Sequence, residues 1–228
     1  MIKINNLTVA FDANVVLNDI NTTFDVGKVH GIVGLNGAGK STFFNTLSGQ
    51  LRPNTGTIIF NEITLLSKHI SFLETNNFFY SRITGNEYLN LFVQTNLEFN
   101  LTALQTYFNL PLNELIEGYS TGMRKKLALL AILKQDNPIL ILDEPFNGLD
   151  METNKVVELI IIKLQQKQKT VFISSHIIAP LLHVCDYIHY LHQGTIVKSY
   201  PKTSFGTIEN DLFAQLQLDA QMVINNAI

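Results

Sequence analysis

The sequence predicts an α/β fold with three parts: a core carrying a phosphate-binding loop, an antiparallel β lobe and an inserted helical lobe. Three observations predict it. Gly34-Leu35-Asn36-Gly37-Ala38-Gly39-Lys40-Ser41-Thr42 satisfies G-x-x-x-x-G-K-[ST], between the apolar run 29–33 and a helical pattern that begins at the lysine. The branched apolar run 139–142 ends in two acids, Asp143 and Glu144, as a buried strand leading into a phosphate site would. Between these runs, residues 84–135 turn to helical patterning, which marks a lobe boundary.

At 228 residues the chain has room for one large domain, or for a core with an appended lobe. Its composition, 46% hydrophobic and 15% charged, is apolar enough that some surface calls for a partner. The formal charge of −3 lacks the basic surplus of dedicated nucleic-acid binders, so no nucleic-acid partner is expected. No apolar run approaches the ~20 residues of a bilayer-spanning helix, and the first residues do not read as a secretory signal. A single cysteine, Cys185, agrees with a reducing compartment, and the expected location is the cytoplasm.

Taken in order, alternating apolar positions over 2–11 and 15–24, around the turn-like Asp12-Ala13-Asn14, predict two antiparallel strands. Phe11 ends the first; beside a phosphate loop it either stacks on an adenine face or joins the core. In the loop, glycines let successive N–H groups point at phosphate oxygens. Lys40 then reaches the β- and γ-phosphates, and the Ser41 hydroxyl coordinates magnesium. After the turn at 52–56, strands are expected over 57–60 and 70–73. Phe78, Phe79 and Tyr80 follow, three adjacent rings that are either core or contact surface. Thr84-Gly85-Asn86-Glu87 has the form of a capping box opening a helix, and 101–108 and 112–117 read as helical too.

Ser120 and Gly122 stand at the start of the helix that contains 127–133. They make either a well-capped helix or an anion site. After strand 139–142, Asp143 is placed to hold the magnesium hydration shell, and Glu144 to orient and deprotonate the attacking water or to cap the next loop. Gly148-Leu149-Asp150 turns into a helix over 151–167. Strand 170–174 leads to His176, a γ-phosphate donor or a surface histidine. His189 and His192 stand three apart in a strand and so face opposite sides, which rejects a metal reading of these residues with His183. Residues 187–191 and 195–197 form a hairpin, 201–206 reads as linker, and 211–218 as a short helix.

Together these pieces closely resemble the nucleotide-binding subunit of ATP-binding cassette (ABC) transporters. The resemblance rests on GLNGAGKST at 34–42, YSTGM at 119–123, ILILDEP at 139–145, GLD at 148–150 and His176, in that order. It implies an ATPase domain over 1–200, with core and β lobe at 1–83 and 136–200 and a helical lobe at 84–135, followed by a tail at 201–228. It also implies ATP and Mg2+ as cofactors, adenine stacking on Phe11, and a second copy or related chain bound head to tail. Ser120 and Gly122 would then contact the γ-phosphate of the partner's nucleotide, Asp150 would lie near the shared seam, and His176 would sense the γ-phosphate.

The chain would sit on the cytoplasmic face of the cell membrane, powering a separate integral membrane permease. Tyr-Ser-x-Gly-Met resembles the export-type (ABC-2-like) subclass, whose permeases move drugs, lipids, polysaccharides or ions. Thr75 or Glu74 stands where the family carries a glutamine that links magnesium to the permease, with Thr75 the expected metal-side residue. The resemblance also places Phe78, Phe79 and Tyr80 in the groove that receives the permease. Two other readings remain at this stage: a soluble ABC ATPase acting on ribosomes or DNA, and a nucleotide-binding regulator without turnover. Retention of Lys40, Asp143, Glu144 and His176 speaks against the second.

Overall fold

The computed structural model describes residues 1–65, 67–95, 99–211 and 224–225. Its elements follow the order β1 (Ile2–Phe11), β2 (Asn14–Phe24), β3 (Val29–Val33), α1 (Lys40–Leu47), β4 (Thr55–Phe60), β5 (Ile63–Thr64), β6 (Ile70–Leu73), α2 (Gly85–Asn90) and α3 (Leu101–Tyr107). The second half supplies α4 (Thr121–Lys134), β7 (Ile139–Leu142), α5 (Met151–Gln166), β8 (Thr170–Ser175), α6 (Ala179–Val184), β9 (Tyr187–His192) and β10 (Thr195–Pro201).

The strands make two sheets. One is antiparallel, in the order β2-β1-β4-β5; the other runs β10-β9-β3-β8-β7-β6, parallel from β9 to β6 with β10 antiparallel at its edge. The central strands read as continuous apolar runs because both faces of this sheet are covered. Successive residues serve opposite sides: Ile139, Ile141 and Phe172 pack toward α1 and the antiparallel sheet, whereas Leu140, Leu142, Val171 and Ile173 pack toward the helices.

The expected strands at 2–11, 15–24, 29–33, 70–73 and 139–142 match the structure to within a residue. The fourth begins earlier than expected, at Thr55, where it pairs with Thr8. Residues 112–117, expected to be helical, form only a short 3-10 turn at Ile116–Gly118. Their backbone groups have tertiary partners instead: Asn86 N–H donates to Leu112 O at 2.9 Å, and Ile116 N–H donates to Ile83 O at 3.0 Å. The capping box at Thr84 is present, with Glu87 N–H donating to the threonine hydroxyl at 3.2 Å and Thr84 N–H to Glu87 Oε2 at 2.7 Å. Sequence reading missed α6, whose first turn contains Pro180.

The stretch read as linker is ordered: a 3-10 helix spans Lys202–Thr207 and Ile208 is fully buried beyond it. The helix expected over 211–218 lies outside the described residues except for Asp211, which accepts from Tyr200 Oη at 3.0 Å and Lys198 Nζ at 2.5 Å.

A polar chain runs through the core under the antiparallel sheet. His30 Nε2 lies 2.8 Å from the Asp25 carbonyl and must donate to it, leaving Nδ1 to accept from His189 Nε2 at 3.1 Å. His189 Nδ1 then accepts from the Ser199 hydroxyl at 2.7 Å. Phe24 closes on both rings, with centroid distances of 5.2 and 4.9 Å. Every ring nitrogen is used with both imidazoles neutral, and a further proton on His30 Nδ1 would set it against the His189 Nε2–H. Burial accordingly pushes His189 down to about 3 and lowers His30 as well.

Between about pH 6.5 and the lowered native values, the unfolded chain binds protons that the native chain refuses. Stability from these histidines is therefore complete above that range and falls as pH drops, by up to about 1.4 kcal/mol per pH unit for each one. Urea midpoints measured between pH 7 and 5 should show this fall. A His189→Gln variant should show a shallower one, and identical slopes would sink the assignment.

Candidate active site

The loop after β3 lies against its neighbours as closely as backbone permits. Gly39 caps α1 with φ +103°, and a Cβ there would meet Leu17 Cδ2 at 3.0 Å and Val16 O at 3.1 Å. At Gly34 a Cβ would fall 2.3 Å from the Leu191 carbonyl. The β9–β10 turn braces the loop from behind, with Gly194 N–H donating to Ala38 O at 3.2 Å and Asn18 N–H donating to Gly194 O at 3.0 Å. Lys40 folds across the loop, its Nζ donating to Gly34 O at 2.7 Å and Leu35 O at 3.3 Å.

Facing the loop is the end of β7. Asp143 is 4% exposed, and a carboxylate so far from water requires donors. Its N–H donates to Leu73 O at 2.8 Å, Oδ2 accepts from the Ser41 hydroxyl at 3.0 Å, and Oδ1 accepts from the Ser174 hydroxyl. The Ser174 oxygen in turn accepts from Glu144 N–H at 2.8 Å, so one serine of β8 orients both acidic residues. Glu144 holds φ at +50°, a left-handed conformation that a non-glycine residue adopts only under constraint. Its Oε2 lies 2.9 Å from His176 Nδ1.

These groups enclose a cavity of about 650 Å³, of a size that suits a nucleotide. Asn36, Gly37, Gly39, Lys40, Ser41 and Thr42 line one side; Thr75, Asp143, Glu144 and His176 line the other. Val16 and Asn147 complete the wall, and sequence reasoning missed both, as it missed Ser174. Val16 arrives by the packing of β2 against the loop, and no local pattern marks any of the three. Ser41 and Asp143 offer adjacent hard oxygens beside Lys40, a donor set that fits magnesium. The Thr75 hydroxyl is on the same wall, 3.5 Å from Asp143 O, whereas Glu74 Oε1 turns to Gln50 Nε2 at 2.6 Å.

The remaining candidates lie off this wall. Gly34 and Ala38 back the loop from outside the lining, and Phe11 is half-exposed at the end of β1. Ser120 is exposed and caps α4, accepting from Met123 N–H at 3.2 Å. Tyr119 anchors that segment: its ring is buried and its hydroxyl donates to Pro111 O at 2.7 Å. Gly122 passes close to the loop after β7, where an added Cβ would stand 3.3 Å from Gly148 O. Asp150 caps α5, accepting Thr153 N–H at 2.7 Å and the Thr153 hydroxyl at 2.8 Å, which lowers its carboxyl pKa. Of the adjacent rings, Phe78 and Tyr80 are exposed and stack edge to face, while Phe79 packs on Tyr88.

The comparisons agree with this geometry. The ABC transporter family pattern matches residues 17–147, more than half of the chain. The chain is 31% identical to the bacitracin transport ATP-binding protein BcrA of Enterococcus faecalis over 87% of its own length and 68% of the relative's. It is also 31% identical to the lantibiotic transport ATP-binding protein SrtF of Streptococcus pyogenes, over 86% and 89% of the two chains. A solved ATP-binding subunit of an ABC transporter superposes with a TM-score of 0.81 at 25% identity, covering 96% of this chain and 94% of that one. The chain belongs to the ABC transporter family, among its ATP-binding, ATP-hydrolysing subunits.

The double duty of Ser174 can be measured. Ser174→Ala leaves the buried Asp143 carboxylate one donor short and should cost about 1–3 kcal/mol in chemical denaturation. An unchanged midpoint would count against the role given to this hydroxyl.

Proposed function

We propose that this chain binds ATP across the Lys40 loop and, as one of a head-to-tail pair, hydrolyses it to drive an export-type permease for an antibiotic-like cargo. The observation that carries the reading is the convergence of Lys40, Ser41, Asp143, Glu144 and His176 on one cavity, from the start of α1 and the ends of β7 and β8. The cargo class follows the relatives named for bacitracin and lantibiotic transport.

In this reading the loop N–H groups and the Lys40 ammonium bind the phosphates. Ser41 and Asp143, with Thr75 alongside, would hold a magnesium ion, which when bound would offset the charge on the phosphate oxygens. Glu144 accepts a proton from water as the water oxygen attacks the γ-phosphorus, and the bond to the bridging oxygen breaks with its electron pair leaving on ADP. His176, held by the Glu144 carboxylate, directs its other ring nitrogen toward the γ-phosphate. Phe11 stacks on the adenine.

Ser120 and Gly122 stand off the cavity that holds their own Lys40, which supports their acting on the nucleotide of a second copy, with Asp150 at the seam. Among the described residues no helix is long and apolar enough to cross a membrane. The relatives named as transport ATP-binding proteins support coupling to a separate permease, on the cytoplasmic face of the membrane. Exposed Phe78 and Tyr80 offer it an apolar contact.

Glu144→Gln should abolish ATP hydrolysis while ATP-dependent dimers persist in size-exclusion chromatography; turnover at the parent rate would remove Glu144 from its role. Tagged chain drawn from detergent-solubilised membranes should bring down a multi-span membrane protein, and Phe78→Ala with Tyr80→Ala should weaken that association without weakening ATP binding. Ribosomal proteins or nucleic acid in its place would overturn the permease reading.

A further inference from the structure

Lys125 is a buried cation that the reaction just described leaves without a task. It lies in the second turn of α4, 6% exposed, and its Nζ donates to the carbonyl of Glu144 and to that of Asn147 at 3.0 Å. Lysines are almost never so deeply buried unless their charge is bonded, so both acceptors are needed where they stand. They are the two ends of one turn, closed by Asn147 N–H donating to Glu144 O at 3.2 Å.

Glu144 begins that turn in the left-handed region, and the direction of its side chain follows directly from this backbone setting. Its N–H is held by Ser174 from β8 and its C=O by Lys125 from α4. Among the described residues the carboxylate pairs with the His176 side chain.

From this geometry we infer that Lys125 is a positioning residue for Glu144: the ammonium holds the 144–147 turn so that the carboxylate faces the attacking water. The inference rests on the reading of Glu144 as the proton acceptor. Lys125 does not itself line the nucleotide cavity; it bonds only the backbone carbonyls of two residues that do, Glu144 and Asn147. Its loss should therefore slow the chemical step and leave nucleotide binding alone. A displacement of the base by about an ångström is enough for a loss on the order of 100-fold.

The test compares Lys125→Met, which keeps the length of the stem and removes the donor, with Lys125→Arg, which keeps a cationic donor. Steady-state ATPase rates, equilibrium binding of a fluorescent ATP analogue and thermal unfolding are measured on each full-length variant, with Glu144→Gln as the reference. Lys125→Met is expected to lose roughly 10- to 100-fold in kcat with analogue affinity within about twofold of the parent, and Lys125→Arg to recover most of that loss.

A folded Lys125→Met with parent kcat, or one that loses affinity and turnover together, overturns the inference. Should Lys125→Met fail to fold, Lys125→Gln decides, since a shorter neutral donor at the parent rate would show that the ammonium is not needed. If Glu144→Gln itself hydrolyses ATP at the parent rate, the underlying site reading fails and the inference with it. If Glu144→Gln is inactive and Lys125→Met is not, only the inference fails.

Discussion

The structure turns on a carboxylate that cannot reach water. Asp143 sits at the end of a central strand, and an unpaired buried charge there would cost several kcal/mol. Its donors come from two other elements, Ser41 at the start of α1 and Ser174 near the end of β8. Satisfying one side chain thus ties the phosphate loop, β7 and β8 together at one point, and the same Ser174 oxygen passes the constraint to Glu144. The need to solvate an ion inside a protein and the orientation of the proposed proton acceptor, Glu144, meet in the same few atoms.

That point lies where it does because the sheet is parallel. β3, β6, β7 and β8 all run the same way, so the residues that follow them emerge at one edge. Gly34, Thr75, Asp143 and His176 are far apart in the chain and neighbours in the fold for this reason. Antiparallel pairing would have sent alternate members to the opposite end. The smaller antiparallel sheet and the β9–β10 turn then close the loop from the other side, through Val16 and Gly194.

The helices of 84–135 are fastened to this edge by polar contacts. Lys125 bonds the 144–147 turn, Lys126 stands 3.9 Å from Asp150, and the Tyr107 hydroxyl donates to Glu152 at 3.3 Å. The buried Tyr119 fixes the segment from within while Ser120, next to it, is exposed. The arrangement ties the start of α4 to the core and leaves Ser120 facing outward, as the proposed contact with a second copy's nucleotide requires.

Much of this was legible in the chain. Phosphate-loop spacing, the acidic end of an apolar strand, a capping box and strand periodicity are local patterns, because the physics behind them acts over a few residues. The failures share a cause. Residues 112–117 gave up a helix because their backbone groups serve α2, and the stretch at 201–206 is ordered because it packs beneath the final strands. His30 and His189 are unremarkable one at a time and become a proton-excluding pair only when β3 and β9 lie side by side. The sequence by itself determined the family, the nucleotide loop and the acids that face it, since each is written in contiguous residues. Only the tertiary structure decided that Ser174, Val16 and Asn147 stand at the site and that Lys125 bonds its 144–147 turn, because partners for buried charge and strained backbone are recruited across space and leave no mark along the chain.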